Sequence, residues 1–251
     1  VVTIESMTAS ATVSVTFAAN VYDVTFRYGE TIYQQTSVSY GESVTQPEDP
    51  TLKGHTFAGW TPEVPETMPD SVLTFTAQFT VNQYTATFRI PEDNWEQVLT
   101  LDYGAAITAP TAPAKPGYTF AGWDKEIPAT MPDNDLVFTG SYTQNRQGLT
   151  LSATGNGAVT YGEASVRAAS QNFDVAELST VVLTVTSDVG HHIATLLLNG
   201  EDALSQLSAD GKLTIESMTA SVTVAVTFAA NVYDVTFRYG ETVYQQTSVS
   251  Y

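Results

Sequence analysis

The strongest constraint on this chain is that it repeats itself. Residues 1–40 return without a gap as residues 212–251, identical at 35 of 40 positions; the changes are Val1/Lys212, Val2/Leu213, Ala11/Val222, Ser14/Ala225 and Ile32/Val243. A shorter repeat lies inside this 211-residue period. Tyr22-Asp23-Val24-Thr25-Phe26-Arg27 is echoed by Tyr84-Thr85-Ala86-Thr87-Phe88-Arg89. The box Gly54-His55-Thr56-Phe57-Ala58-Gly59-Trp60 is echoed by Gly117-Tyr118-Thr119-Phe120-Ala121-Gly122-Trp123, and Thr67-Met68-Pro69-Asp70 by Thr130-Met131-Pro132-Asp133. The offset grows from 62 to 63, so one residue is gained near the first hairpin tip. Such periods mark a series of small supersecondary units rather than one large domain.

The expected organisation is therefore sister modules at 21–81 and 82–144 and a third module of another kind at 145–231. Residues 1–20 are expected to be the closing strands of a preceding third-type module, and 232–251 the opening strands of the next first-type one, as in a segment of a longer tandem array. All eleven prolines lie between Pro47 and Pro132, and 145–231 has none, which separates the two kinds of module.

Hydrophobic alternation predicts strands. Tyr22, Val24, Phe26 and Tyr28 alternate with Asp23, Thr25 and Arg27; Leu73, Phe75, Ala77 and Phe79 alternate with threonines and Gln78; Val222, Val224, Val226 and Phe228 follow the same period. That is the pattern of a half-buried strand. Asn156-Gly157 and Asp210-Gly211 sit between such runs and suit tight hairpin turns with positive φ. Helix signals are few: Glu201–Leu207 has room for two turns, and the three prolines of 62–69 exclude a long helix there. The predicted fold class is β-dominated, all-β to α+β, in tandem small modules. A module of about 62 residues without disulfides is marginal, and the compensation expected is aromatic: Phe26, Phe57, Trp60, Phe75 and Phe79, with their sisters Phe88, Phe120, Trp123, Phe138 and Tyr142, are the predicted cores.

Charge and composition exclude several functions. With 27 Asp and Glu against 9 Lys and Arg the net charge is -18, which argues against nucleic acid as a partner. No apolar run is long enough for a membrane span in this segment. The absence of cysteine removes thiolate catalysis, disulfides and Cys-ligated metal.

The order Tyr-x-Val-Thr-Phe, Tyr40-Gly41, prolines, the Gly-(His/Tyr)-Thr-Phe-Ala-Gly-Trp box, Met-Pro-Asp and a closing Thr-Phe-Thr-Ala-Gln-Phe strand resembles the Listeria–Bacteroides repeat, the internalin B B-repeat family. Residues 145–231, opening on Leu149–Gly157 and closing on Leu213–Phe228, resemble its divergent type. The resemblance implies β-grasp-like modules in tandem on an extracellular, cell-surface bacterial protein, acting as stalk, spacer or adhesive segment. It supplies no catalytic residues and no cofactor.

The residues agree with a non-enzyme reading. His191-His192 would point to opposite faces of a strand, and His55 is replaced by Tyr118 in the sister. No Gly-x-Ser-x-Gly elbow occurs, and the pairs Glu48-Asp49, Glu92-Asp93 and Glu201-Asp202 read as solvated turns. Asp133 and Asp135, flanking Asn134, are the best calcium candidates, since oxygen ligands clustered on a loop suit that ion, yet they lack the glycine and distal glutamate of an EF-hand loop. Trp95, at the tip of the atypical hairpin Ile90–Trp95, is the candidate for stacking on a sugar; the alternative is that it covers the edge of its own module. The function expected is a structural stalk or fibre segment of an adhesin, with a glycan- or mucin-binding module as the alternative. The partners expected are neighbouring repeats, other copies in a filament, and host or cell-surface glycan or protein.

Overall fold

The computed structural model describes residues 2–251. The chain divides into two compact units, residues up to Pro110 with Lys125–Phe138, and Thr111–Asp124 with Thr139–Tyr251. No α-helix occurs among the described residues; two single 3₁₀ turns, Pro91–Asp93 and Leu204–Gln206, are the helical content. The two turns expected over Glu201–Leu207 are thus reduced to a short strand and one 3₁₀ turn.

In the first unit, β1 (Val21–Tyr28), β2 (Thr31–Ser39), β3 (His55–Thr61) and β4 (Leu73–Val81) form a sheet in the order β2-β1-β4-β3. β1 and β2 are an antiparallel hairpin, β3 and β4 pair antiparallel, and the central pair β1–β4 is parallel, with Val24–Arg27 opposite Leu73–Thr76. A parallel pair needs a crossover. Here the segment between β2 and β3 is irregular, because Pro47 and Pro50 punctuate it. The sheet is β-grasp-like in order but carries no helix. Alternation buries one face: Val24, Phe26, Phe75, Ala77, Trp60 and Met68 form the core.

The second repeat has the same plan. β5 (Gln83–Ile90), β6 (Trp95–Asp102), β7 (Tyr118–Trp123) and β8 (Leu136–Gln144) take the order β6-β5-β8-β7. The residue gained at the tip of its first hairpin is accommodated by the 3₁₀ turn and by Asn94, which is left-handed at φ 52°.

Residues 146–230 build something larger. β9 (Arg146–Thr154), β10 (Gly157–Tyr161), β11 (Ala164–Val166), β12 (Ser170–Ala176), β13 (Val181–Ser187), β14 (His191–Leu198), β15 (Glu201–Asp202), β16 (Lys212–Ile215) and β17 (Val222–Ala230) form two sheets, β12-β9-β17-β14-β15 and β11-β10-β13-β16. One aliphatic core joins them, with Leu149, Leu151, Leu183, Leu196, Leu213 and Met218 fully enclosed. Within the five-stranded sheet, β12-β9-β17-β14 repeats the order of the sister sheets, again with a parallel centre: Leu149–Thr154 lies opposite Val222–Thr227. The small module is therefore still present, widened by a second sheet. The expected hairpin at Asn156-Gly157 is corrected accordingly. β9 and β10 belong to different sheets, and the positive φ falls on Gly155 at 87°, where the chain turns from one layer to the other. Gly211 does take a positive φ, 75°, in the tight turn before β16.

The closing strands expected in 1–20 are absent: residues 2–20 form no strand and are exposed. The near-identical residues 213–231 contribute β16 and β17, which are held by β13, β9 and β14. Backbone groups adopt a ladder only when another strand supplies partners, and 2–20 meet none among the described residues. β18 (Val232–Tyr239) and β19 (Thr242–Ser250) do form the expected hairpin. Phe237 is 52% exposed there, whereas its copy Phe26 is fully buried under β4 and β3.

Candidate functional site

The links between sheets are one residue long. Asn82 alone separates β4 from β5, Asn145 separates β8 from β9, and Asn231 separates β17 from β18. At each, the backbone is fixed from both sides. The Asn82 N–H donates to the Gly54 carbonyl (2.9 Å) and its carbonyl accepts from the Tyr103 N–H (2.8 Å). Asn145 bonds Gly117 and Glu177 in the same way, each at 2.9 Å, and Asn231 bonds Gly190 and Tyr251 at 2.8 and 3.0 Å. Asn20 repeats half of the pattern, accepting from the Tyr40 N–H at 2.8 Å.

The side chain explains the residue type, since a short amide carries both an acceptor and donors. Thr56 Oγ1 donates to Asn82 Oδ1 at 2.6 Å and Thr119 Oγ1 to Asn145 Oδ1 at 2.7 Å. His192 Nδ1 lies 3.0 Å from Asn231 Oδ1. On the donor side, Asn145 Nδ2 reaches Glu177 Oε2 at 2.7 Å, and Asn231 Nδ2 reaches the Tyr233 hydroxyl at 3.2 Å.

The glycine opposite each asparagine seats a side chain from beyond the joint. Gly54 has φ 71°, and a Cβ there would stand 2.1 Å from Cγ of the Tyr103 ring; at Gly190, φ 78°, it would stand 2.0 Å from the Tyr251 ring. His55 meets Tyr103, and His191 meets Tyr251, edge to face at 6.0 Å in both cases. At Gly117 the seated residue is Leu178, 3.4 Å from the added Cβ. Two of the three histidines therefore pack on a joint ring and the third, His192, lies on a joint amide.

Each repeat also carries a buried methionine, in the segment leading to its last strand, whose backbone bonds the residues that follow β2 or its counterpart. The Gly41 N–H donates to the Met68 carbonyl and the Met68 N–H to the Glu42 carbonyl; Met131 does the same with Gly104 and Ala105, and Met218 with Leu178 and Ser179. All three are at most 1% exposed.

The predicted site residues lie elsewhere. Asp133 pairs with Lys53 Nζ at 3.4 Å, and Asp135 Oδ1 accepts from the Thr85 N–H at 2.7 Å. That backbone bond holds the Asp135 carboxyl below the usual aspartate range. Among the described residues no three His, Asp or Glu side chains converge as a metal would need. Trp95 is half-buried and opens β6 opposite Ile90, just past the hairpin tip. Of the predicted core aromatics, Phe26, Phe75, Phe88 and Phe138 are fully enclosed and Trp60 is 9% exposed. Phe57, Phe79, Phe120, Trp123 and Tyr142 are half-buried. They form edge-to-face chains: Phe57 meets Trp60 at 5.3 Å and Phe79 at 5.7 Å, and Phe120 meets Trp123 at 5.2 Å and Tyr142 at 5.6 Å.

Sequence reasoning missed the joints. The signal that would have found them is the asparagine recurring at 20, 82, 145 and 231, together with the glycines at 54, 117 and 190.

The profile of the Listeria-Bacteroides repeat domain matches residues 22–82 and 84–154. This chain belongs to the Listeria-Bacteroides repeat family. Its second match runs past Asn145 and takes in β9, consistent with the shared strand order of the larger module. Internalin H of Listeria monocytogenes is 36% identical over 132 residues, 45% of this chain and 24% of that protein. Two proteins of Evansella cellulosilytica, described as a putative membrane protein and a putative Gly-rich membrane protein, are 28% and 30% identical over 130 and 118 residues, 48% and 41% of this chain and 19% and 13% of theirs. The chain thus spans about a quarter or less of the length of these relatives. The type 2 repeat of the mucus binding protein MUB from Lactobacillus reuteri aligns with 59% of this chain and 99% of its own at 13% identity, with a TM-score of 0.17. The family places this chain among repeat modules of bacterial surface proteins. No helix among the described residues is long and apolar enough to cross a membrane.

Proposed function

We propose that this chain is a non-catalytic stalk segment of an extracellular, cell-surface repeat array, with modules at 21–81, 82–144 and 145–231 and the neighbouring repeats as its first partners. The observation that supports it is the recurrent joint. A one-residue linker whose N–H, carbonyl and side chain are all engaged leaves no slack for one module to turn against the next. Each 211-residue period, taken as 21–231, adds a net charge of about -16, and like charges along an array oppose its folding back on itself.

Small-angle scattering of the 251-residue chain tests this reading. A compact body of this length has a radius of gyration of about 18 Å, whereas three modules of this size held end to end give about 30 Å. The larger value is expected, kept by the joints at high salt as well, where charge repulsion is screened. A value near the compact one would refute the stalk. The adhesive alternative rests on Trp95, which stays half-buried at the start of β6. Loss of binding to a glycan array on Trp95→Ala would favour it.

A further inference from the structure

The two sister repeats share one aromatic frame and use it differently. The chains Trp60–Phe57–Phe79 and Trp123–Phe120–Tyr142 have ring spacings within 0.1 Å of each other. The turn before the third strand also corresponds: the His55 N–H donates to the Leu52 carbonyl at 3.0 Å and the Tyr118 N–H to the Lys115 carbonyl at 3.1 Å. Position 52 of the first repeat is thus position 115 of the second.

In the second repeat Lys115 fills the frame. Its Nζ lies 4.8 Å from the centroid of Tyr118 and 5.2 Å from that of Tyr142. Ring faces attract a cation at that range. In the first repeat the equivalent residue is Leu52, which brings no charge. There the ring of Phe79 gives onto a cleft of about 480 Å³ also lined by Tyr28, Tyr33, Pro50, Glu48 and Asp49. Tyr28 meets Phe79 edge to face at 5.1 Å, and Tyr28 and Tyr33 each remain 46% exposed. The two acids stand where the sister has Thr111 and Ala112. So the second repeat carries its own ammonium on the frame, while the cleft of the first is lined by rings and two acids and by no cation.

We infer that the cleft of the first repeat receives a lysine side chain from a partner polypeptide. The stem of a lysine delivers its ammonium to a ring pair from a backbone standing outside, as Lys115 does within its own repeat. Glu48 and Asp49 complement that charge, and the net charge of -18 draws cationic rather than anionic partners toward the chain. The inference does not depend on the stalk reading, since the cleft lies within one repeat.

The test is a two-dimensional NMR titration of the whole 251-residue chain with the blocked peptide acetyl-Gly-Lys-Gly-amide. The expected result is shifts confined to the β1–β2 tip and residues 48–51, weakening as salt is raised. The Nε-acetylated peptide is expected to cause none. Tyr33→Ala weakens binding about fivefold, the scale of one partly exposed cation–π contact. Leu52→Lys brings the sister's cation to the Phe79 ring that lines the cleft and is expected to abolish binding, with the scattering radius unchanged. If that variant fails to fold, the acetylated peptide and Tyr33→Ala still decide. The inference is overturned by no shifts at millimolar peptide, by equal binding of the acetylated peptide, or by equal binding to the folded Leu52→Lys variant. It is also overturned if a glucosamine trisaccharide shifts these residues and the peptide does not.

Discussion

Replacing Gly54 with alanine separates the joint from the fold around it, because Gly41 provides a control of the same chemistry. Both glycines are left-handed, at φ 71° and 82°, so alanine costs about 1–2 kcal/mol at either. At Gly41 nothing lies within 4 Å of the new methyl, and the cost ends there. At Gly54 the methyl would stand 2.1–2.6 Å from three atoms of the Tyr103 ring, which no relaxation of a few tenths of an ångström relieves. The ring must leave its seat. With it goes the contact to His55, about 1 kcal/mol for an edge-to-face pair, and the shelter of the Asn82 backbone bonds, each worth about 1 kcal/mol net. Gly41→Ala is therefore expected to lower the melting temperature of the first repeat by the strain alone and Gly54→Ala by more, at about 4–8 °C per kcal/mol for a domain this small. Only Gly54→Ala loosens the junction. Spin labels on the exposed residues Ser71 and Glu96, one on each side of Asn82, report it as a broadened distance distribution by pulsed electron resonance. Tyr103→Ala is expected to broaden the distribution equally, and the double variant to add little, since both remove one contact. A distribution as narrow in Gly54→Ala as in Gly41→Ala would refute the joint as the source of stiffness.

Other perturbations should be equally selective. Met68→Ala and Met218→Ala each open a cavity in a closed core and should cost about 2–5 kcal/mol by denaturant unfolding, whereas Met7→Ala, in the same Glu-Ser-Met-Thr-Ala sequence as Met218 but 57% exposed, should leave stability unchanged. Phe88→Ala removes a fully buried ring stacked 4.8 Å from Phe138, and a loss of about 3–5 kcal/mol is expected, enough to unfold the second repeat and seen as loss of its strand amide protection. The bonds from Lys212 and Ser208 hold the Asp210 carboxyl down at about 2. Since its folded value is depressed, the stabilisation is full above the ordinary aspartate range and is lost as pH falls through about 2; carbon-detected NMR titration should show that midpoint, and Lys212→Met should raise it.

How much of this was legible depends on where the determining contacts lie. Strand period and aromatic spacing are local, so β1, β4, β17 and the enclosed Phe26, Phe75, Phe88 and Phe138 follow from the residues. Residues 3–20 show the limit of such reasoning. Their copy at 214–231 is almost the same sequence and forms β16 and β17, yet 3–20 form no strand, because pairing partners and not propensity decide. The second sheet of 146–230 escaped notice for a related reason. Asn156-Gly157 marks a turn equally well whether the chain returns in the same sheet or crosses to another, and the choice is made by Val159, Leu183 and Leu213 closing over Leu149 and Leu151. The calcium candidates Asp133 and Asp135 are engaged instead by Lys53 and the Thr85 N–H, both distant in sequence. The joints were invisible as chemistry because an asparagine between two strands reads as an ordinary turn residue.

The parallel central pair has a mechanical consequence. The chain enters the first repeat at the start of β1 and leaves it at the end of β4, at opposite ends of two strands running side by side. A pull on both ends drags them past each other lengthwise, so the bonds between Val24–Arg27 and Leu73–Thr76 must yield together and not peel one at a time. β9 and β17 repeat the arrangement with a longer overlap, Leu149–Thr154 against Val222–Thr227. Tension applied along such a chain meets first the strands least able to unzip.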